Sequence, residues 1–146
     1  MSDPLRQLET WAAPLLAKLA PAEQRKLARS IGTQVRRRQR QRISEQKNPD
    51  GSTYAPRKTR ELRGKANRLK RRRKMFPKLR NAQHLRVQST ADGAVVGFLG
   101  RAARVARVHH YGLREKGIEY PQRELLGFGS ADQELVRDLL LQHLAG

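Results

Sequence analysis

The chain has 146 residues, room for one domain with a modest core and not for two. Its 32 Lys and Arg against 13 Asp and Glu leave a formal charge of +19 and a pI near 11.6, outside the range of an ordinary soluble enzyme. It has no cysteine, which excludes disulfides, thiolate zinc sites and cysteine nucleophiles, and no apolar run near the roughly 20 residues of a membrane span.

No basic-then-apolar leader opens the chain, so the expectation is an intracellular protein in a reducing compartment. Leu5, Leu8, Ala12, Leu15, Leu16 and Leu19 recur at helical spacing and predict a first helix. Pro14 should kink or break it near Ala13, and Trp11 should bury its ring against the same core. A second helix is predicted from Pro21 to Gln46, with proline at its first position and Glu23 in its first turn. Its apolar stripe of Leu27, Ile31 and Val35 runs on into Arg38, Gln39 and Arg42. A seam that dissolves into charge suggests a helix that projects from the body or docks on a partner.

Asn48-Pro49-Asp50-Gly51 ends that helix with strong turn chemistry. From Arg57 to Lys74 the chain is almost solidly basic, with a thin stripe of Leu62, Ala66 and Leu69 broken by Gly64. Such a stretch buries too little to order itself, so a neighbour is expected to order it. Alternation through Leu85, Val87 and Ser89, then Asp92-Gly93, then Ala94 to Leu99 predicts a β-hairpin. Arg101 to Tyr111 suits a short helix capped by Gly112, and Ile118 to Tyr120 a short strand ending at Pro121. Ser130 should open the last helix, with Gln133 in capping-box position and Leu135, Val136, Leu139, Leu140 and Leu144 along its apolar face. The expected fold class is α+β: N-terminal helices with one long projecting basic helix, a small antiparallel hairpin sheet and a C-terminal helix, all in one domain with a basic arm at about 47–80.

Catalysis has little support. His109 and His110 are adjacent, so on a helix they point about 100° apart and make a poor metal pair. Asp132, Glu134 and Asp138 sit near a helix N-terminus, where acids stabilise the dipole without any metal. The glycines show neither phosphate-loop nor dinucleotide spacing. No cofactor, metal, membrane or small-molecule substrate is expected.

The stronger signal is charge. Between Arg25 and Arg80 only Glu45, Asp50 and Glu61 interrupt the basic residues. The bursts are Arg36-Arg37-Arg38-Gln39-Arg40-Gln41-Arg42 and Lys70-Arg71-Arg72-Arg73-Lys74. Like charge at that density needs an anionic offset: nucleic acid, an acidic protein surface or a membrane face. Tyr54 and Phe76 are the only aromatics in the region and neither lies within a burst. Any nucleic-acid contact would therefore be to backbone rather than bases. A solvated face meeting acidic neighbours in an assembly explains the same charge.

Three strings in order resemble the phage virion morphogenesis family. Gln46-Lys47-Asn48-Pro49-Asp50-Gly51-Ser52-Thr53-Tyr54-Ala55-Pro56 is similar to its Q-x-x-P-D-G-x-x-Y/W-x-P loop. Val108-His109-His110-Tyr111-Gly112 resembles its hydrophobic-H-Q-F/Y-G segment, with His110 where glutamine is common. Tyr120-Pro121-Gln122-Arg123-Glu124-Leu125-Leu126-Gly127-Phe128 resembles its P-x-R-x-hydrophobic-L-G-hydrophobic signature, with Glu124 where proline is usual and Asp132 following as the family's acidic residue.

The resemblance implies a non-enzymatic part of the phage neck. Such proteins complete or terminate the tail at its head-proximal end so that it joins a head. The implied partners are further copies in a ring, most simply a hexamer, with the tail tube or sheath and the head-completion or connector proteins. The implied location is the virion tail, with assembly in the host cytoplasm. Arg36, Arg37, Arg38, Arg40 and Arg42 with Lys70, Arg71, Arg72, Arg73 and Lys74 would face duplex DNA in the channel or an acidic rim. The motif residues Asp50, Gly51, Tyr54, Pro56, His109, Tyr111, Gly112, Arg123, Leu126 and Gly127 are the candidates for a subunit or neck-protein interface. For the Pro-Asp-Gly loop a plain turn is the alternative, and for Arg123 a fold-closing contact to a carbonyl or to Glu119. A sequence-nonspecific nucleic-acid-binding protein is the rival function. A metal nuclease using Asp132 or Glu134 is a third.

Overall fold

The apolar spacing at the N-terminus produces helix α1, Pro4–Leu16, in a computed structural model that describes residues 4–56, 74–90 and 93–145. Pro14 lies inside α1 and does not break it. Only two helical residues follow it, so its missing amide bond costs one rung near an end that frays anyway. Leu8 and Ala12 take the buried face, while Trp11 remains 37% exposed. One residue from Ala12 means roughly 100° around the helix, which carries the indole off the core.

Helix α2, Pro21–Ser44, begins and ends close to the sequence expectation, but it does not project. It runs between the hairpin and the last helix and packs on both. Its stripe does not stop at Val35: Gln39 and Ile43 are buried on the same side. A polar side chain suits such a position when its hydrogen bonds are met, and here they are. Gly32 sits where the hairpin crosses. A Cβ there would come within 2.6 Å of Val87 Cγ1 and 3.0 Å of Ala94 Cβ, so the small residue sets the approach.

Strands β1, Leu85–Thr90, and β2, Gly93–Phe98, pair antiparallel with Val87 opposite Val96. The alternation holds along β1: Leu85 is buried and Arg86 and Gln88 are exposed. Helix α3, Arg101–Tyr111, follows and ends at Gly112, whose φ of 64° is the left-handed cap expected of it. Beyond it lies a second, smaller ladder. Strand β3, Arg114–Glu115, pairs with β4, Ile118–Glu119, through a turn in which Lys116 and Gly117 both have positive φ. The third strand anticipated near Tyr120 is therefore half of a hairpin, and Tyr120 lies just outside it.

Helix α4, Ser130–Ala145, closes the chain. Its start differs by one residue from the expected box. Asp132, not Gln133, reaches back, accepting the Gly129 N–H at 3.0 Å. The fold is α+β, with two clusters in the core. Leu8, Ala12, Leu27, Val136 and Leu140 form an all-helical one among α1, α2 and α4. Ile43, Tyr54, Leu79, Ala102, Ala106 and Leu125 form the other, between the end of α2, α3 and three irregular segments.

Candidate functional site

The residues from Pro121 to Gly129 form no regular structure, yet Arg123 and Leu125 within them are buried. Their backbone groups need partners, and the partners are side chains from the other two motif strings and from α2. Gln39 pairs with Gly127 in both directions: its Nε2 donates to the carbonyl at 2.9 Å and its Oε1 accepts the N–H at 3.0 Å. Arg42 donates to the carbonyls of Lys47 and Glu124 at 3.0 Å and of Leu125 at 2.9 Å, and also to Gln39 Oε1. The Glu124 amide donates to Asn48 Oδ1 at 2.9 Å, and Tyr54 Oη donates to the Glu124 carbonyl at 2.9 Å. His110 Nδ1 accepts the Leu125 amide at 3.2 Å, so that nitrogen carries a lone pair rather than a proton.

Arg123 reaches the other way. Its Nε donates to the Ala55 carbonyl at 2.8 Å and its Nη2 to the Pro56 carbonyl at 3.0 Å. Both contacts are to backbone carbonyls at the end of the Pro-Asp-Gly string. Gly127 is small for a reason seen only here. A Cβ would stand 2.1 Å from Pro49 Cγ, inside the ring of the Pro-Asp-Gly loop.

A second amide clamp lies seven residues beyond Gln39. Gln46 Nε2 donates to the Met75 carbonyl at 3.0 Å and its Oε1 accepts the Met75 amide at 2.7 Å. This ties the chain at Met75 to the end of α2. Phe76 then inserts between Tyr54, 5.9 Å away edge-on, and His109, 4.9 Å away, and His109 meets Tyr120 at 4.9 Å on its other side. Burial, and after it the Arg123 charge, hold His109 below its ordinary pKa, so the ring packs neutral. Burial likewise pushes the Tyr54 phenol up, keeping it a donor to Glu124.

The loop tip is plain turn chemistry. Asp50 Oδ1 accepts the Ser52 hydroxyl and amide, which hold its carboxyl below the usual range, and Gly51 has φ of 90°. Asp50, Gly51 and Pro56 are exposed at this tip, and Tyr111 is 61% exposed beside the Arg123 segment. Leu126 and Gly127 are half-buried, His109 is packed between rings, Gly112 caps α3, and Tyr54 and Arg123 face inward.

The basic burst on α2 divides by contact. Arg36 Nε donates to the Leu85 carbonyl at 2.6 Å, Arg38 lies 3.5 Å from Asp132, and Arg42 serves the carbonyls above. Arg37 and Arg40 are exposed, and so is Lys74, next to Met75. Lys70, Arg71, Arg72 and Arg73, and the stripe of Leu62, Ala66 and Leu69, lie outside the described residues. Among the described residues no group of His, Asp and Glu is placed to hold a metal, and no helix is long and apolar enough to cross a membrane.

The residues that sequence reasoning passed over as candidates are Gln39, Asn48, His110 and Gln46. Gln39 carried a signal, since the apolar stripe of α2 extends onto it at four-residue spacing. The others are polar residues whose role depends on where a distant loop lies.

Comparison with known proteins agrees with this convergence. The phage virion morphogenesis family model matches residues 3–145. Tail completion protein S of Escherichia phage P2 is 35% identical over 146 residues, covering 95% of this chain and 96% of that protein. No solved structure matches. With all three motif strings meeting at one hydrogen-bonded hub, and the match spanning nearly the whole chain, this protein belongs to the phage virion morphogenesis family.

Proposed function

We propose that this protein completes the phage tail, forming a ring at its head-proximal end and enabling the tail to join a head. The observation that carries the reading is its end-to-end likeness to a protein named for tail completion. The role is structural rather than catalytic, its partners are other copies, the tail tube and a head-side connector, and its place is the virion tail after assembly in the host cytoplasm.

Physical features support assembly. The two-stranded sheet β1–β2 leaves its outer edges without a strand partner among the described residues, and such edges invite pairing with another chain. Val95, Leu99, Val105 and Tyr111 are exposed large apolar residues on β2, the following turn and α3. Beside them an open groove of about 480 Å³ is lined by Phe98, Ala106, Leu126 and Phe128 among others. Chains carrying +19 each repel one another, so a ring of them needs an anionic neighbour or added salt to close.

Negative-stain microscopy of tails assembled with and without the protein tests the reading. Tails of irregular length, or tails that never join heads, are expected in its absence. Normal tails that join heads without it would overturn the proposal.

A further inference from the structure

The outward face of α2 carries more than exposed charge. Arg37, Arg40, Gln41 and Ser44 follow the i, i+3, i+4, i+7 pattern and so share one side of the helix. Across from them the turn Pro77, Arg80 and Asn81 forms a second wall, anchored by the buried side chain of Leu79. The two walls enclose an open cleft of about 420 Å³, which among the described residues is lined by these seven. Three of the seven are arginines, three are neutral hydrogen-bonding side chains and none is a carboxylate. Glu45 accepts from Gln41 Nε2 at 3.2 Å but does not line the cleft. None of the three arginines forms an ion pair with a described residue. Arg36, Arg38 and Arg42, by contrast, are committed to Leu85, Asp132 and the hub carbonyls.

We infer that this cleft is a binding site for the phosphodiester backbone of duplex DNA, read without regard to sequence. Guanidiniums match phosphate oxygens with paired N–H donors, and Ser, Asn and Gln supply the neutral contacts usual at a DNA backbone. An acidic protein segment would also bring apolar side chains to bury, and among the described residues Pro77 is the one apolar residue lining the cleft. Single strands bind chiefly by stacking bases on aromatics, and among the described residues none lines it. For its setting, the tail end through which DNA passes, the inference rests on the tail-completion reading. Its chemistry does not.

The test is fluorescence anisotropy of a labelled duplex titrated with full-length protein across monovalent salt concentrations. The Arg37→Ala/Arg40→Ala/Arg80→Ala variant is compared with Arg25→Ala/Lys26→Ala/Arg29→Ala, which removes the same charge from exposed residues elsewhere on α2. Loss of three phosphate contacts should lower the slope of log affinity against log salt by about 2.7 and weaken binding roughly 10-fold or more at moderate salt. The control triple should change both far less. Arg80 is half-buried, so Arg37→Glu/Arg40→Glu, both exposed, repeats the test without touching the turn. Equal losses in the two triples would mean that net charge alone binds DNA and would overturn the inference. So would a wild-type chain that ignores duplex or prefers single strands. Binding is read on the isolated protein and completion on assembled tails, so either proposal can fail while the other stands.

Discussion

The two halves of α2 hold the molecule by different means. Its N-terminal half presents Leu27, with Ile31 and Val35 partly buried, to Leu8, Ala12, Val136 and Leu140, a cluster built from apolar contact. Its C-terminal half presents Gln39 and Arg42, which hold a segment without regular structure by its own carbonyls and amides. The first kind of packing is graded, because each methylene removed costs its share of transfer and cavity energy. The second approaches all-or-none. A buried carbonyl that loses its donor has no water to turn to, and several such groups share one guanidinium. In the second half, the seam that looks polar in sequence is as much a core as the first.

That contrast is open to breaking, and the largest effect should come from Arg42. Arg42→Met keeps the stem and deprives Lys47, Glu124 and Leu125 of a charged donor. A loss of about 3–5 kcal/mol in urea unfolding is expected, discounted from a simple sum because the side chain is partly exposed. A loss below about 1 kcal/mol would show that the hub is not held by this residue. Leu27→Ala, at a side chain 3% exposed, should cost about 2–4 kcal/mol and leave the hub intact. Gly127→Ala should cost roughly 1–3 kcal/mol by overpacking, since a proline ring is not a flexible end that swings aside. Its effect should shrink sharply when Pro49 is also changed to Ala, whereas independent effects would contradict the packing seen here.

The smallest effect sharpens the comparison through pH. His109 has a depressed pKa in the folded chain, so the unfolded state takes up its proton first as pH falls. Its contribution is complete above the ordinary histidine value of 6.5 and is lost as pH drops below it toward the folded pKa. Urea midpoints should fall through that window in the wild type and fall less in His109→Phe, which keeps an aromatic between Phe76 and Tyr120. A variant as acid-sensitive as the parent would place the dependence elsewhere.

Much of the fold was readable. Both long helices, the hairpin and the glycine cap of α3 follow from spacing, a proline, a turn dipeptide and Gly112. Helix α1 runs through Pro14 because a helix near its end tolerates proline, and Trp11 faces outward because one residue of phase decides which way an indole points. The β3 half of the small ladder is not legible in sequence, because a two-residue strand carries no periodicity and Lys116-Gly117 is a weak turn signal. The motif strings were legible as strings, while their meeting point was not. Nothing local in Asn48 says that its side chain accepts from Glu124, which lies 76 residues away in the chain.

By itself the sequence determined composition, charge, the helical and strand periods and the ordered motifs that mark the family, since these depend on near neighbours and on residue chemistry. Only the tertiary structure decided which arginines are spent inside the fold and which face outward. Arg38 and Arg42 differ from Arg37 and Arg40 in nothing but angle around one helix, and Arg36 differs from Arg40 only in the strand end that reaches it. Which angle faces carbonyls and which faces solvent is set by segments that pack there from far along the chain.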